Sequence, residues 1–346
     1  MKLWKKVFVV TVSVVLLSCL VVLNFGSQAA AADQKVYKFR MQVLFGPSQL
    51  VQYQPFVDYV DKASGGRIKI DLYAGGQLVP TDQMLSACAE GTIDLAGGAG
   101  GYWSNLIPLA NVEAGMPFAL RTLTDVNTFF YQKGFLELCR KAYAEHGIYY
   151  LGPQMVDFAF IQAKKPVKTL DDLKKLKFRA VPNTSKLLGK SGISAVYIPA
   201  EEVYMAISTG TLDGVIYGGA MSNSTMSYQE VAPYYMVPPI NIANQNLIMG
   251  MKQWNSLPKD LQAVLDLATQ YENLYIQTLN WDLEFLSRVK MIKENNLKIV
   301  QMDDSLINTL TDSAKEFWAE VGKKDAYSKQ GIDMLMNYIK EVGYIK

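Results

Sequence analysis

LDDLKKLKFRAVPNTSKLLGKSGISAVYIPAEEVYMAISTGTLDGVIYG, residues 170–218, is the stretch whose reading decides the fold. A basic amphipathic segment runs into the apolar, strand-like Phe178-Arg179-Ala180-Val181. A helix over 184–189, a strand over 195–198, a helix over 201–208 and a strand over 215–217 then alternate, which is the grammar of an open α/β sheet. Such sheets bind ligands at the carboxyl ends of their strands. Arg179 stands where an apolar run begins, and burying a guanidinium without a partner costs on the order of several kcal/mol. Two kinds of partner answer that cost: an acid elsewhere in the chain, such as Asp213 or Glu201, or the carboxylate of a ligand, which the planar guanidinium fork grips at both oxygens. Residue types alone leave both open.

The same grammar is found upstream. Residues 36–44 read as a strand, 49–63 as a helix closed by Gly65-Gly66, 67–73 as an alternating half-buried strand, 82–90 as a helix and 93–98 as a strand. The junctions rhyme: Glu90-Gly91-Thr92-Ile93-Asp94 matches Thr209-Gly210-Thr211-Leu212-Asp213. In each, glycine suits the left-handed turn that ends a helix. Two similar α/β lobes are expected. Residues 259–295 contain neither Pro nor Gly and repeat apolar residues at helical spacing. An unbroken helix of that length reaches roughly 50 Å, longer than one lobe, and should brace both. Helical tracts over 305–321 and 329–342 finish the chain.

The start of the chain reads as an address. Lys2, Lys5 and Lys6 precede an apolar run over 7–25 and the small residues Ala29 to Ala32, the pattern of a secretory signal peptide over 1–32. An uncleaved anchor and a lipid attached at Cys19, in Leu16-Leu17-Ser18-Cys19, are the lesser alternatives. Removing the three leader lysines leaves 31 basic against 32 acidic residues, so the positive whole-chain balance belongs to the leader. No basic stripe supports nucleic-acid binding. Cys88 and Cys139 remain, each within a helical pattern, and are expected as buried free thiols.

Catalytic chemistry is missing from the sequence. His146, the single histidine, lies in AEHGIYY at an apparent helix end. No Gly-x-Ser-x-Gly elbow, phosphate-cradling loop or Cys/His metal spacing occurs. Gly97-Gly98-Ala99-Gly100-Gly101 follows a strand without the spacing of a dinucleotide fingerprint, and suits a tight loop where a ligand approaches the backbone.

LDDLKKLKFRAVPN, GISAVYIPAEEVYMAISTGTLDGVIYG and NSLPKDLQAVL, together with RMQVLFGPS and AGGQL at Ala74 to Leu78, resemble the solute-binding subunits of tripartite ATP-independent periplasmic (TRAP) transporters, the DctP family. The resemblance covers nearly all of the chain beyond the leader. It implies a two-lobed, periplasmic-binding-protein-like α/β fold with hinge strands and one long helix spanning both lobes. Lobe I would take 33–153 and again 240–258, lobe II 154–239, the long helix 259–296, and helices packing on the lobes 297–346. In that family the arginine matching Arg179 binds the substrate carboxylate. The spacing from Arg179 to Gly192 and GPQM at Gly152 to Met155 look most like the 2-oxo acid-binding branch, in which residues matching Gln154 and Tyr217 line the pocket. Some members hold a metal cation through the glutamine and the backbone at that aromatic; it needs an acid just before the aromatic, where this chain has Ile216, so no metal or other cofactor is expected. Gly218 follows in the same loop, and Phe45, Tyr102, Asn244 and Asn246 follow or lie on strands at the presumed cleft. The implied function is capture of a small organic acid, a 2-oxo or 2-hydroxy monocarboxylate, and its delivery to TRAP membrane subunits, by a monomer or homodimer. A dicarboxylate or aromatic acid is the alternative ligand, a sensory module for a receptor kinase the alternative role.

Overall fold

The computed structural model describes residues 35–198 and 200–345, apart from the side chains of residues 48, 155–157, 182, 183, 186 and 201. The leader read over 1–32 lies outside the described residues. Strand β1 (Tyr37–Val43) leads through helix α1 (Gln54–Ala63), β2 (Ile68–Tyr73) and α2 (Met84–Glu90) to β3 (Leu95–Gly98). Helix α3 (Phe135–Ala144) precedes the long strand β4 (Ile148–Ala163). The pattern repeats through β5 (Lys177–Arg179), α4 (Pro182–Lys190), β6 (Ser194–Val196), α5 (Ala200–Ser208) and β7 (Gly214–Ile216). Helix α6 (Ala220–Thr225) then leads to a second long strand, β8 (Tyr234–Gly250). The chain ends with α7 (Lys259–Asn295), β9 (Lys298–Gln301), α8 (Asp304–Gly322) and α9 (Ala326–Glu341).

The strands form one mixed sheet in the order β2-β1-β3-β8-β4-β7-β5-β6, with β9 added to β8. β1 pairs in parallel with β2 and β3, and β5 pairs in parallel with β6 and β7, so the two βαβαβ units have the same internal order. β8 borders the first unit and β4 the second, both antiparallel. β4 and β8 pair with each other along nearly their whole length and, among the described residues, are the strands shared by the two lobes. Their register slips between Tyr150 and Gly152, Met155 and Asp157, and Ala159 and Ile161. Bulges bend and twist a ribbon locally, which makes this pair a physical hinge.

The rhyming junctions do equivalent work. Gly91 and Gly210 have φ of 85° and 83°, the left-handed turn that stops each helix. The Asp94 carboxylate accepts the Arg40 N–H at 2.7 Å, and the Asp213 carboxylate accepts the Lys177 N–H at 2.9 Å. Each aspartate thus ties the start of its own strand to a neighbour. Strand β5 stops at Arg179, short of the expected Val181, because Pro182 opens α4 and Val181 takes the extended N-cap position.

Helix α7 has 37 residues, about 55 Å at 1.5 Å each. Tyr271 stacks on Tyr59 of α1 at 4.8 Å. Farther along, Glu284 accepts the N–H of Ala220 at the start of α6 and the Tyr235 hydroxyl at 2.9 Å, and pairs with Arg288 at 2.6 Å. Just before Tyr271, α7 crosses β4 at Gly152, where a Cβ would come within 2.8 Å of Thr269 Cγ2. The helix therefore braces both lobes and the hinge. Cys88 and Cys139 are buried free thiols, and His146 is exposed in a turn. Strand β9 has no counterpart in the sequence reading: a run as short as Lys298–Gln301 carries no periodicity of its own, and becomes a strand only by pairing with β8.

Candidate ligand-binding site at the strand ends

The carboxyl ends of the parallel strands bring three of the expected residues close together. Arg179 ends β5 and is 3 % exposed. Its Nε donates to the Ile198 carbonyl at 3.0 Å. The guanidinium carbon lies 5.2 Å from the centre of the Tyr197 ring and 5.5 Å from that of Tyr217, within reach of favourable cation–π attraction to both. Nη1 is buried and has no acceptor among the described residues. Asp213 does not supply one, because its carboxylate serves the Lys177 N–H at the opposite end of the same strands. The side chain of Glu201, the other internal candidate, lies outside the described residues. Gly218, just after Tyr217, accepts from the Phe160 N–H at 3.4 Å and donates to Asn223 Oδ1 at 3.3 Å, which fixes the loop behind the tyrosine. Tyr197 was not anticipated as part of this cluster: nothing in the sequence distinguishes it from a surface tyrosine, and only the parallel pairing of β5 with β6 sets it beside Arg179.

Gln154 lies in a second, neighbouring group on the hinge. It is buried opposite Gln245 of β8, and its Nε2 donates to Glu272 of α7 at 3.2 Å. The Tyr53 hydroxyl donates to Gln245 Oε1 at 3.1 Å. Gln154 Oε1 and Glu272 Oε2 are buried without partners among the described residues. Burial pushes the Glu272 carboxyl up from 4.5 to about 8, only partly countered by the Gln154 hydrogen bond. This acid on the long helix was not singled out from sequence; a glutamate inside an amphipathic repeat looks like any solvated one.

Asn244 and Asn246 belong to a third group, inside lobe I. Asn246 Nδ2 donates to Glu113 Oε1 at 2.7 Å and Asn244 Nδ2 donates to the Glu113 carbonyl at 3.2 Å. The Tyr143 hydroxyl donates to the other Glu113 oxygen and accepts from Trp103 Nε1 at 2.8 Å. Burial raises the Glu113 carboxyl to about 7 against the pull of those hydrogen bonds. The two asparagines do share a strand face, as alternation requires, and that face is turned to the Glu113 cluster. Tyr102 is 56 % exposed, while its neighbour Trp103 fills the space beside Gly98.

Phe45 lines a cavity of about 180 Å3 between the lobes. Gln49 and Gln52 continue its wall from lobe I, Met221 and Ser222 of α6 from lobe II, and Ala243 and Gln245 from the hinge. A larger surface cavity, about 420 Å3, lies between α8 and the C-terminal residues Gly343 to Ile345, away from every strand end.

A two-lobed sheet sharing one bulged strand pair, with a buried guanidinium at its strand ends that meets no acid among the described residues, defines a cleft-closing binding protein. Residues 48–325 match bacterial extracellular solute-binding protein family 7, and the chain belongs to that family, the DctP group of TRAP solute-binding proteins. That family is a transport class and not an enzyme class. The monocarboxylate 2-oxoacid-binding periplasmic protein of Nostoc is 24 % identical over 290 residues, 82 % of this chain and 78 % of that protein. The open, ligand-free crystal structure of a TRAP solute-binding protein from Rhodobacter sphaeroides superposes with a TM-score of 0.81 at 21 % identity, covering 89 % of this chain and 99 % of that one. A TRAP solute-binding protein from Pseudoalteromonas atlantica, with bound sodium and pyruvate, gives 0.72 at 23 % identity, covering 89 % and 95 %. Among the described residues no helix is long and apolar enough to cross a membrane.

Proposed function

We propose that this protein captures a small organic acid, a 2-oxo or 2-hydroxy monocarboxylate, by closing its lobes around a carboxylate held by Arg179, and presents it to TRAP membrane subunits. The observation that carries the reading is the buried guanidinium of Arg179, with Nη1 lacking any acceptor among the described residues. A carboxylate is the group that satisfies a planar two-pronged donor best. Tyr197 and Tyr217 lie within 5.5 Å of the guanidinium and Ile198 accepts from its Nε, so the fork is oriented before the ligand arrives, which lowers the entropy cost of binding. The 2-oxoacid-binding relative from Nostoc favours a 2-oxo monocarboxylate as the ligand.

The Pseudoalteromonas protein, with bound sodium and pyruvate, raises the question of a cation here. One feature of the donor set argues against it: Ile216, just before Tyr217, is buried and apolar and brings no side-chain oxygen. Gln154 engages Glu272 through Nε2 and leaves Oε1 without a partner among the described residues, so the titration below carries an arm with added cation. The reading is therefore direct capture by arginine. The leader at 1–32 would export the chain, and the lobes would follow the ranges set out from the sequence, with β4 and β8 as the hinge. Closure requires a ligand that binds the shut form better than the open one, and a carboxylate touching Arg179 and the opposite lobe does that.

Calorimetric titration with pyruvate, longer 2-oxo acids, lactate and dicarboxylates, with and without added sodium or calcium, tests the reading. Binding of a monocarboxylate that is unchanged by chelation and lost in Arg179→Met is expected. A cation requirement would overturn direct capture, and binding retained within a few fold in Arg179→Met would overturn the arginine anchor.

A further inference from the structure

The loop that carries Tyr217 is held by a chain of side-chain amides reaching back to the hinge ribbon. The Gly218 N–H donates to Asn223 Oδ1 at 3.3 Å, Asn223 Nδ2 donates to Gln162 Oε1 at 2.8 Å, and Gln162 Nε2 donates to the Ala232 carbonyl at 2.8 Å. Both amide side chains are fully buried. The two backbone ends dictate the direction of the chain. A backbone N–H at Gly218 can only donate and a carbonyl at Ala232 can only accept, so each amide has one orientation that satisfies both of its neighbours. A carboxylate at either position would turn two oxygens on each other, and an apolar side chain would strand a buried polar group.

Gln162 belongs to β4, just past its last register slip, and the sheet carries it to the site. It pairs with Val215 of β7, and Val215 pairs with Arg179 of β5. Cross-strand partners face the same side of a sheet. Gln162 and Arg179 therefore share a face two strands apart, roughly 10 Å. The Tyr217 ring lies 5.5 Å from the guanidinium carbon and meets Tyr228 edge-on, centre to centre at 5.9 Å. Farther along the same loop, the Ala220 N–H donates to Glu284 of α7. The loop is thus tied to β4 through amides and to α7 through a carboxylate, and the amide chain is the tie that acts next to Tyr217 itself.

We infer, on the basis of carboxylate capture at Arg179, that Gln162 and Asn223 are positioning residues for the ligand: they fix the backbone beside Tyr217 so that its ring stays against the guanidinium and keeps the fork oriented. Neither has to touch the ligand. Their effect passes through Gly218 to Tyr217 and from the ring to Arg179, and what it contributes is preorganisation, which lowers the ordering cost at the moment of binding.

Two readouts separate this role from a purely structural one. In the ligand-free protein the Arg179 Nε–H resonance carries ring-current shifts from Tyr197 and Tyr217, and Tyr217→Leu isolates the second. Gln162→Met should move that resonance in the same direction as Tyr217→Leu does. Calorimetry with pyruvate should show a dissociation constant raised about 10-fold in Gln162→Met, the scale set by one hydrogen bond. Asn223→Asp, isosteric with the native residue, cuts the chain at its middle and should move both readouts the same way, which keeps the test open if Gln162→Met fails to fold. The double exchange Gln162→Asn with Asn223→Gln keeps the donor order and the number of methylenes, and should restore most of the lost affinity. An Arg179 resonance and a pyruvate dissociation constant unchanged in folded Gln162→Met or Asn223→Asp would overturn the inference, because packing against Tyr228 would then suffice to hold the ring. Arg179→Met keeps the two readings apart. Pyruvate binding that survives Arg179→Met overturns the carboxylate anchor, whereas binding lost there but untouched in the amide variants overturns the positioning role alone.

Discussion

Glu272 offers the sharpest test of how the hinge is built. Its side chain is fully buried, one oxygen accepts from Gln154 at 3.2 Å and the other has no partner among the described residues. Burial disfavours the charged form, so the folded chain holds the proton up to about 8, against an ordinary 4.5. The folded state therefore binds more protons than the unfolded one between those values, and its stability falls as pH rises through that window. At 1.36 kcal/mol per unit, the full shift is worth roughly 5 kcal/mol, lost progressively from about pH 4.5 to pH 8. Glu272→Gln keeps the shape and an acceptor but removes the titration. Urea unfolding of both proteins at pH 5, 7 and 9 measures the difference. At pH 5 the two should be within about 1 kcal/mol, and at pH 9 the variant should be more stable by a few kcal/mol. Using the difference cancels the similar contribution of Glu113, whose carboxyl is raised to about 7. A constant offset between the two proteins across this range would refute the reasoning, because it would mean that Glu272 titrates alike folded and unfolded.

The other expectations rest on separate parts of the molecule. Arg179→Met should leave the ligand-free protein as stable or slightly more stable, since it removes a buried cation that meets no acid among the described residues, and should abolish ligand-induced thermal stabilisation, which reaches about 2.7 kcal/mol at 100 times the dissociation constant; differential scanning fluorimetry reads both. Arg288→Met strands the buried Glu284 carboxylate, which Arg288 meets at 2.6 Å, and should cost about 3 kcal/mol in chemical denaturation. Gly152→Ala places a methyl 2.8 Å from Thr269 Cγ2 at the crossing of β4 and α7. It should cost about 1–3 kcal/mol of stability, and a variant as stable as the native chain would show that the crossing is looser than described.

Much of the fold is legible locally. The βαβαβ alternation, the glycines that end α2 and α5, and the aspartates that follow them could be read from short windows because each depends on nearby backbone geometry. Even there, Pro182 shortened β5 below its expected length, and the 3-10 turn at Pro47–Gln52 delays the α-helix that was expected from residue 49 until Gln54. Residues whose role depends on a distant element could not be placed that way. Asn244 and Asn246 alternate correctly on β8, yet what they face is Glu113, more than 130 positions earlier. Tyr197 joins Arg179 only through strand pairing.

By itself the sequence determined the lobe grammar, the long helix, the lack of a catalytic histidine pair and the single arginine at a strand end, because periodicity, glycine conformations and residue chemistry are properties of neighbours in the chain. Tertiary structure alone decided which charges are paired. Asp213 is spent on a backbone N–H at one end of β5 while Arg179 at the other keeps a nitrogen with no acceptor among the described residues, and Glu272 is buried on a helix that reads as partly solvated. The physical reason is that desolvation and Coulomb interaction depend on distances across the fold, and those are set when β4 and β8 pair and α7 closes over them.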